Sequence, residues 1–183
     1  MSEERQLIKR LKSGNHNAFK VLVEDYKEII FQVCYNFLHS TDDADDIAQD
    51  VFVEAYKSII NFNEKSSLKT WLYRIAVNKS LNFIKKHKRR TLVNDFSTYN
   101  NDSLKTDDAS YNIESDERKI ILHNAISSLS KNQKIAFTLN KIDDKSYKEV
   151  AEIMNISLSS VESLMHRAKL NLQKKLVNYY KAN

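Results

Sequence analysis

One glycine and no proline in 183 residues is the feature that most narrows what this chain can fold into. Average usage of about 7% and about 5% gives roughly thirteen and nine. Tight hairpins want glycine or asparagine at positive φ, and a phosphate-cradling loop or a dinucleotide fingerprint needs two or three glycines at fixed spacing. Gly14 alone supplies neither, which argues against nucleotide-binding α/β enzymes. The predicted class is all-α, with turns made by Asn, Asp and Ser. At this length one or two small domains are expected.

Apolar spacing agrees. Ala18, Phe19, Leu22, Val23, Tyr26, Ile29, Ile30, Val33, Cys34 and Phe37 recur at steps of three and four, one face of a long helix, and Gly14 closes a shorter helix before it. A second long helix is predicted from about Thr41 to Ile60, burying Ile47, Ala48, Val51, Phe52, Ala55, Tyr56 and Ile59. After the polar stretch 61–67 a third begins near Leu68 and ends in the basic run 85–90.

From Thr91 to about Glu117 the periodicity disappears, and the segment reads as a linker between domains at 1–90 and 118–183. Charge follows the same division. Residues 91–118 hold two basic and seven acidic side chains, net −5, whereas 1–90 carry +4 and 119–183 carry +6. The overall balance of +5 suits an anionic partner, and its basic character lies in the two flanking domains.

Helical spacing resumes at Ile120, Ile121, Ala125, Ile126 and Leu129. Three capping boxes are then predicted, Ser130 with Gln133, Ser146 with Glu149 and Ser159 with Glu162, with Ser157 competing for the last cap. The segment Tyr147 to His166 has the parts of a helix-turn-helix. Ala151 is the small residue of the first helix, Asn155 tolerates the left-handed turn, and Val150, Met154, Ile156, Val161 and Leu164 lock the pair. The second helix then offers Ser159, Ser160, Glu162, Ser163, His166, Arg167 and Lys169 to a major groove; the bland alternative is a helical hairpin with a solvated polar face.

Asp46, Asp50 and Glu54 repeat every four residues, as metal ligands on a helix do. Di-iron bundles add a histidine three residues after a glutamate, and none of the five histidines here has an acid at that distance, so no metal or other cofactor is expected. The acidic cluster reads instead as a favourable helix start or as a docking surface for a basic protein. Residues 70–90 mix Trp71, Tyr73 and Phe83 with Arg74, Lys79, Lys85, Lys86, Lys88, Arg89 and Arg90, the blend that binds single-stranded or opened DNA, although a tryptophan at this spacing also suits a core. No nucleophile–base arrangement argues for catalysis. A lone Cys34, a charged N-terminus and the lack of a long apolar run lead us to expect a cytoplasmic protein without membrane insertion.

The order of these parts, the acidic helix Asp43 to Phe52, the Thr70 to Asn78 segment, an acidic linker and a C-terminal helix-turn-helix, closely resembles the extracytoplasmic-function (ECF) class of bacterial sigma factors over essentially the whole chain. The resemblance implies promoter recognition and recruitment of core RNA polymerase through the β′ clamp helices and the β flap, with an anti-sigma factor as a regulatory partner. It implies polymerase contacts at Asp43, Asp46, Gln49, Asp50 and Phe52. For the −10 element it implies Phe62, Trp71, Arg74, Asn78, Lys79, Lys85 and Lys86, with loop 61–67 capturing a flipped base. Trp71 and Leu72 fall where housekeeping sigma factors carry two tryptophans, which predicts weaker melting. For the −35 element it implies Ser160, Ser163, His166, Arg167 and Lys169, with Glu162 departing from the usual cation. The linker matches the connector that threads toward the polymerase active site. A stand-alone helix-turn-helix regulator that dimerises through its N-terminal bundle is the alternative.

Overall fold

The computed structural model describes the backbone of residues 3–94 and 121–182 and the side chains of 3–87 and 121–177. Among the described residues there is helix and no strand. The chain divides into two compact units, Met1–Asn100 and Asn101–Asn183.

In the first unit α1 (Glu3–Lys12) ends at Gly14, whose φ of +74° is the left-handed region that glycine enters without penalty. The Gly14 and Asn15 amides donate to the Leu11 and Arg10 carbonyls, a Schellman closure. Asn15 at once starts α2 (His16–Leu38), its Oδ1 accepting from the Ala18 amide at 2.9 Å. The same device recurs without glycine. His39 ends α2 at φ 56°, and Ser40 then caps α3 (Thr41–Ser58) by accepting from the Asp43 amide. A 3-10 turn, Ile59–Asn61, finishes α3, and α4 runs Leu68–Asn94. The α4 backbone thus stays helical four residues into the segment expected as linker, whose remainder, 95–117, lies outside the described residues.

Helices α2, α3 and α4 pack on one another around Leu22, Ile30, Val33, Phe37, Ala44, Val51, Leu68, Leu72 and Ala76, all sealed from solvent. Each large side chain buried there contributes about 1.5–3 kcal/mol. The periodic stripe of α2 is the buried face, with Cys34 and the Ser80 hydroxyl inside it. Tyr56, expected on the buried side of α3, is 42% exposed. It sits at the margin, edge-on to Phe19 with ring centroids at 5.0 Å and stacked against His16.

The second unit contains α5 (described over 121–127), α6 (Lys131–Lys141), α7 (Tyr147–Met154) and α8 (Leu158–Ala182). The boxes expected at Ser130 and Ser146 are present, and Asp144 (φ 51°) and Asn155 (φ 54°) make the positive-φ turns that precede α7 and α8. Ala125, Ile126, Leu129, Ala168 and Leu172 form a core with Phe137 and Leu176 against it. Gln133 also accepts from Asn171 at 3.1 Å, joining the start of α6 to α8.

Candidate nucleic-acid interface

The loop between the 3-10 turn and α4 is held at several points. Asn63 Oδ1 accepts from the Lys65 amide at 3.2 Å, Glu64 stands in the left-handed region at φ 58°, and Lys12 Nζ meets Glu64 Oε1 at 2.8 Å. Ser67 Oγ accepts from the Thr70 amide at 3.1 Å, while Glu4 Oε1 accepts from the Leu68 amide at 2.8 Å. A carboxylate there also meets the positive end of the α4 dipole. The Glu64 carboxyl is held below the usual carboxylate range by its bond from Lys12.

Phe62 is only 4% exposed, its ring tilted against Trp71 with centroids 5.0 Å apart and with Lys12 Nζ 6.0 Å from its centre. It underlies Trp71 and cannot itself present a face to a base. Leu72 is fully buried in the core and so is not a second exposed wedge; a tryptophan there would overpack the unit rather than restore a contact. The half-buried Trp71 and Arg74 and the exposed Asn78, Asn82 and Lys85 follow at steps of three and four, which puts them on one face of α4. Asn82 was missed in reading the sequence, although its place four residues after Asn78 could have revealed it. Lys79 lies off this line, half-buried and paired with Glu54 at 3.5 Å; Lys86 is exposed beside it.

On α3, Asp46, Gln49 and Asp50 are exposed and share the outward face, with Gln49 donating to Asp45 at 3.0 Å. Asp43 is half-buried in the first turn. Phe52 does not join them. At 7% exposure it points into the core, because it belongs to the inner stripe with Ala48 and Ala55. The apolar side chain that continues the acidic face is its neighbour Val53, 48% exposed, followed around the surface by Tyr56 and Ile60.

In the second unit Asn155 donates its amide to the Ala151 and Glu152 carbonyls, and the Ile156 amide also reaches Ala151. Val150 and Val161 lock α7 to α8 as expected, but Leu164, Met154 and Ile156 are half-buried and Ile153 and Met165 take the inner positions. The α8 cap is Ser157, whose Oγ accepts from the Ser160 amide at 3.2 Å and lies 3.0 Å from Ser159 Oγ. The expected Ser159–Glu162 box is therefore absent: α8 starts at Leu158, and Glu162 is too far into the helix to reach back. Glu162 stands exposed among Ser159, Ser160, Ser163, His166, Arg167 and Lys169, all of them open to solvent. Arg167 Nε donates to the Ser163 carbonyl at 3.2 Å, which orients the guanidinium along α8.

The first unit thus combines an aromatic and cationic stripe with an acidic, partly apolar face, and the second presents a polar helix of helix-turn-helix form. The chain matches known proteins along both units. The family model for Sigma-70 region 2 matches residues 22–90, and that for Sigma-70, region 4 matches 119–172. The RNA polymerase sigma-H factor of Pseudomonas aeruginosa is 32% identical, the match covering 95% of this chain and 94% of that protein. The ECF RNA polymerase sigma factor SigW of Bacillus subtilis is 31% identical over 94% and 96%. The fold is shared with CnrH, solved with the cytosolic domain of CnrY, at a TM-score of 0.65 and 22% identity over 97% of this chain and 99% of that one. It is shared also with the sigma factor RpoE of Bartonella quintana, solved with the anti-sigma factor NepR, at 0.58 and 23% over 86% and 96%.

Proposed function

Because this chain belongs to the RNA polymerase sigma factors of the sigma-70 family, ECF class, and so directs core polymerase to promoters, we propose that its two units divide promoter recognition between them. Residues 1–90 bind core enzyme and read the opened −10 element; residues 118–183 read the −35 element. The observation that carries this reading is the line Trp71, Arg74, Asn78, Asn82 and Lys85, which starts at a tied loop and offers a ring face, a guanidinium, two amides and an ammonium to an unpaired strand. A flipped base costs a few kcal/mol of unstacking, which stacking and amide contacts there offset. Phe62 acts by supporting Trp71, and Lys86 adds charge to the strand's backbone path.

The outward acids Asp46 and Asp50, with Asp43 and Gln49 beside them, suit a basic partner surface on polymerase, and Val53 supplies the apolar centre that the buried Phe52 does not. The same faces are those an anti-sigma factor would cover. No chemistry is assigned to the chain itself, and its place of action is the cytoplasm, where core polymerase resides. No described helix is long and apolar enough to cross a membrane.

Purification with core polymerase followed by run-off transcription tests the reading. The expected result is a stable complex that initiates at discrete start sites; a chain that binds a promoter duplex alone and ignores core enzyme sinks it. Arg167→Ala sharpens the −35 part. If the guanidinium pairs with a base, the variant loses about 1–3 kcal/mol of discrimination at one position. A uniform loss across sequences, with a salt slope lower by about one, makes it a phosphate contact instead.

A further inference from the structure

Helix α1 precedes the residues matched by either family model, yet it bonds both the middle of the loop 61–67 and the first residue after it. Midway along the loop the Lys12 ammonium bonds Glu64, and near its start the same ammonium stands over the Phe62 ring that carries Trp71. At its end Glu4 accepts from the Leu68 amide, the first residue of α4. Ile8 and Leu11, buried on the same helix, fix the two charged ends on a rigid rod of under three turns.

Glu64 is a residue with a Cβ in the left-handed region, a conformation that persists only where the surroundings hold it. Lys12 is the described partner that holds its side chain. We propose that α1 is the positioning element for the promoter-reading loop, with Glu4 and Lys12 keeping residues 62–67 and the Phe62–Trp71 pair in the arrangement that accepts an unpaired base. This rests on the −10 reading of the loop. Neither Glu4 nor Lys12 needs to touch DNA for it.

The sign of one substitution separates positioning from simple attraction. Glu64→Ala removes a negative charge beside the proposed strand, so a purely electrostatic site would bind DNA more tightly; a loop that has lost its tie binds more weakly. Holoenzyme is titrated with a single-stranded −10 oligonucleotide, read by fluorescence of Trp71 against a holoenzyme carrying Trp71→Phe, with run-off transcription beside it. We expect Glu64→Ala and Lys12→Glu each to bind about three- to fivefold more weakly, the range an exposed ion pair can account for. The exchanged pair Lys12→Glu with Glu64→Lys recovers most of the loss, and affinity for core polymerase is unchanged throughout. Glu64→Ala binding as tightly as wild type or better overturns the inference, as does an exchanged pair no better than Lys12→Glu alone. If the wild-type holoenzyme transcribes from promoters but gives no Trp71 response to the oligonucleotide, the −10 reading of the loop has failed, and this inference fails with it.

Discussion

Gly14 owes its place to backbone conformation rather than to packing. A Cβ built on it meets nothing within 4 Å, so the cost of a side chain there is conformational alone. Gly14→Ala is expected to lower stability by about 1–2 kcal/mol, read as a urea midpoint shift, and Gly14→Asn by less, because asparagine tolerates the left-handed region. Equal losses for the two would mean that space, not φ, is limiting. Cys34 gives a different single-residue test. Burial between α2 and α4 pushes its thiol up to about 11, with the neighbouring Ser80 hydroxyl pulling the other way. The unfolded chain loses this proton first, from about pH 9, while the folded chain keeps it to about 11, so stability falls as pH rises through that window and levels off above it. The slope from this group is at most about 1.4 kcal/mol per pH unit. Comparing urea midpoints of Cys34→Ala and wild type at pH 8 and pH 10 should show a smaller fall in the variant; parallel falls would exclude the thiol as a contributor.

At the scale of elements, the start of α8 decides which serine matters. Ser157→Ala is expected to cost about 1 kcal/mol by leaving the Ser160 amide without its acceptor, whereas Ser159→Ala should stay within about 0.5 kcal/mol. Thermal unfolding of the two variants distinguishes them, and the opposite order would return the cap to Ser159. The choice between the serines shows what was legible beforehand. Helix class, the α2 stripe, the Gly14 closure, Asn155 as the left-handed turn and two capping boxes follow from local chemistry, and local chemistry is what a sequence displays. The cap of α8 depends on which frame the buried stripe takes, and the structure puts Val161, Met165, Ala168 and Leu172 inward, a register that periodicity with Leu164 equally available did not resolve. Phe52 and Val53 divide in the same way, adjacent apolar residues of which packing against α2 and α4 buries only the first. Leu72 went inward for a tertiary reason as well, since α2 and α3 pack on α4, and Phe62 lies between Trp71 and the Lys12 ammonium of the distant α1. The two ties from α1 to the loop join residues more than fifty positions apart, and no spacing rule signals such a pair.

For the whole molecule the distribution of charge matters more than its sum. Two basic segments, +4 and +6, flank a segment of −5, and at a Debye length of about 10 Å in 0.1 M salt these charges act on whatever lies near each segment rather than on a distant average. With two DNA-facing surfaces, as proposed above, a sigma factor would risk occupying non-promoter duplex before it reached core enzyme, and an acidic segment in the same chain would compete with phosphate for those surfaces. Replacing Asp102, Asp107, Asp108, Glu114 and Asp116 by their amides raises the net charge of the free chain and changes none of the described residues. The expected outcome is tighter binding to non-promoter duplex, roughly tenfold at 50 mM salt and shrinking toward nothing at several hundred millimolar, because the added affinity is released-counterion free energy. Fluorescence anisotropy with a labelled non-promoter duplex across a salt series measures it. Holoenzyme formed with the variant should at the same time lose selectivity for promoter over competitor DNA. Unchanged duplex affinity at low salt would show that the acids do not shield the two basic units, and would leave their role to contacts made inside the assembled polymerase.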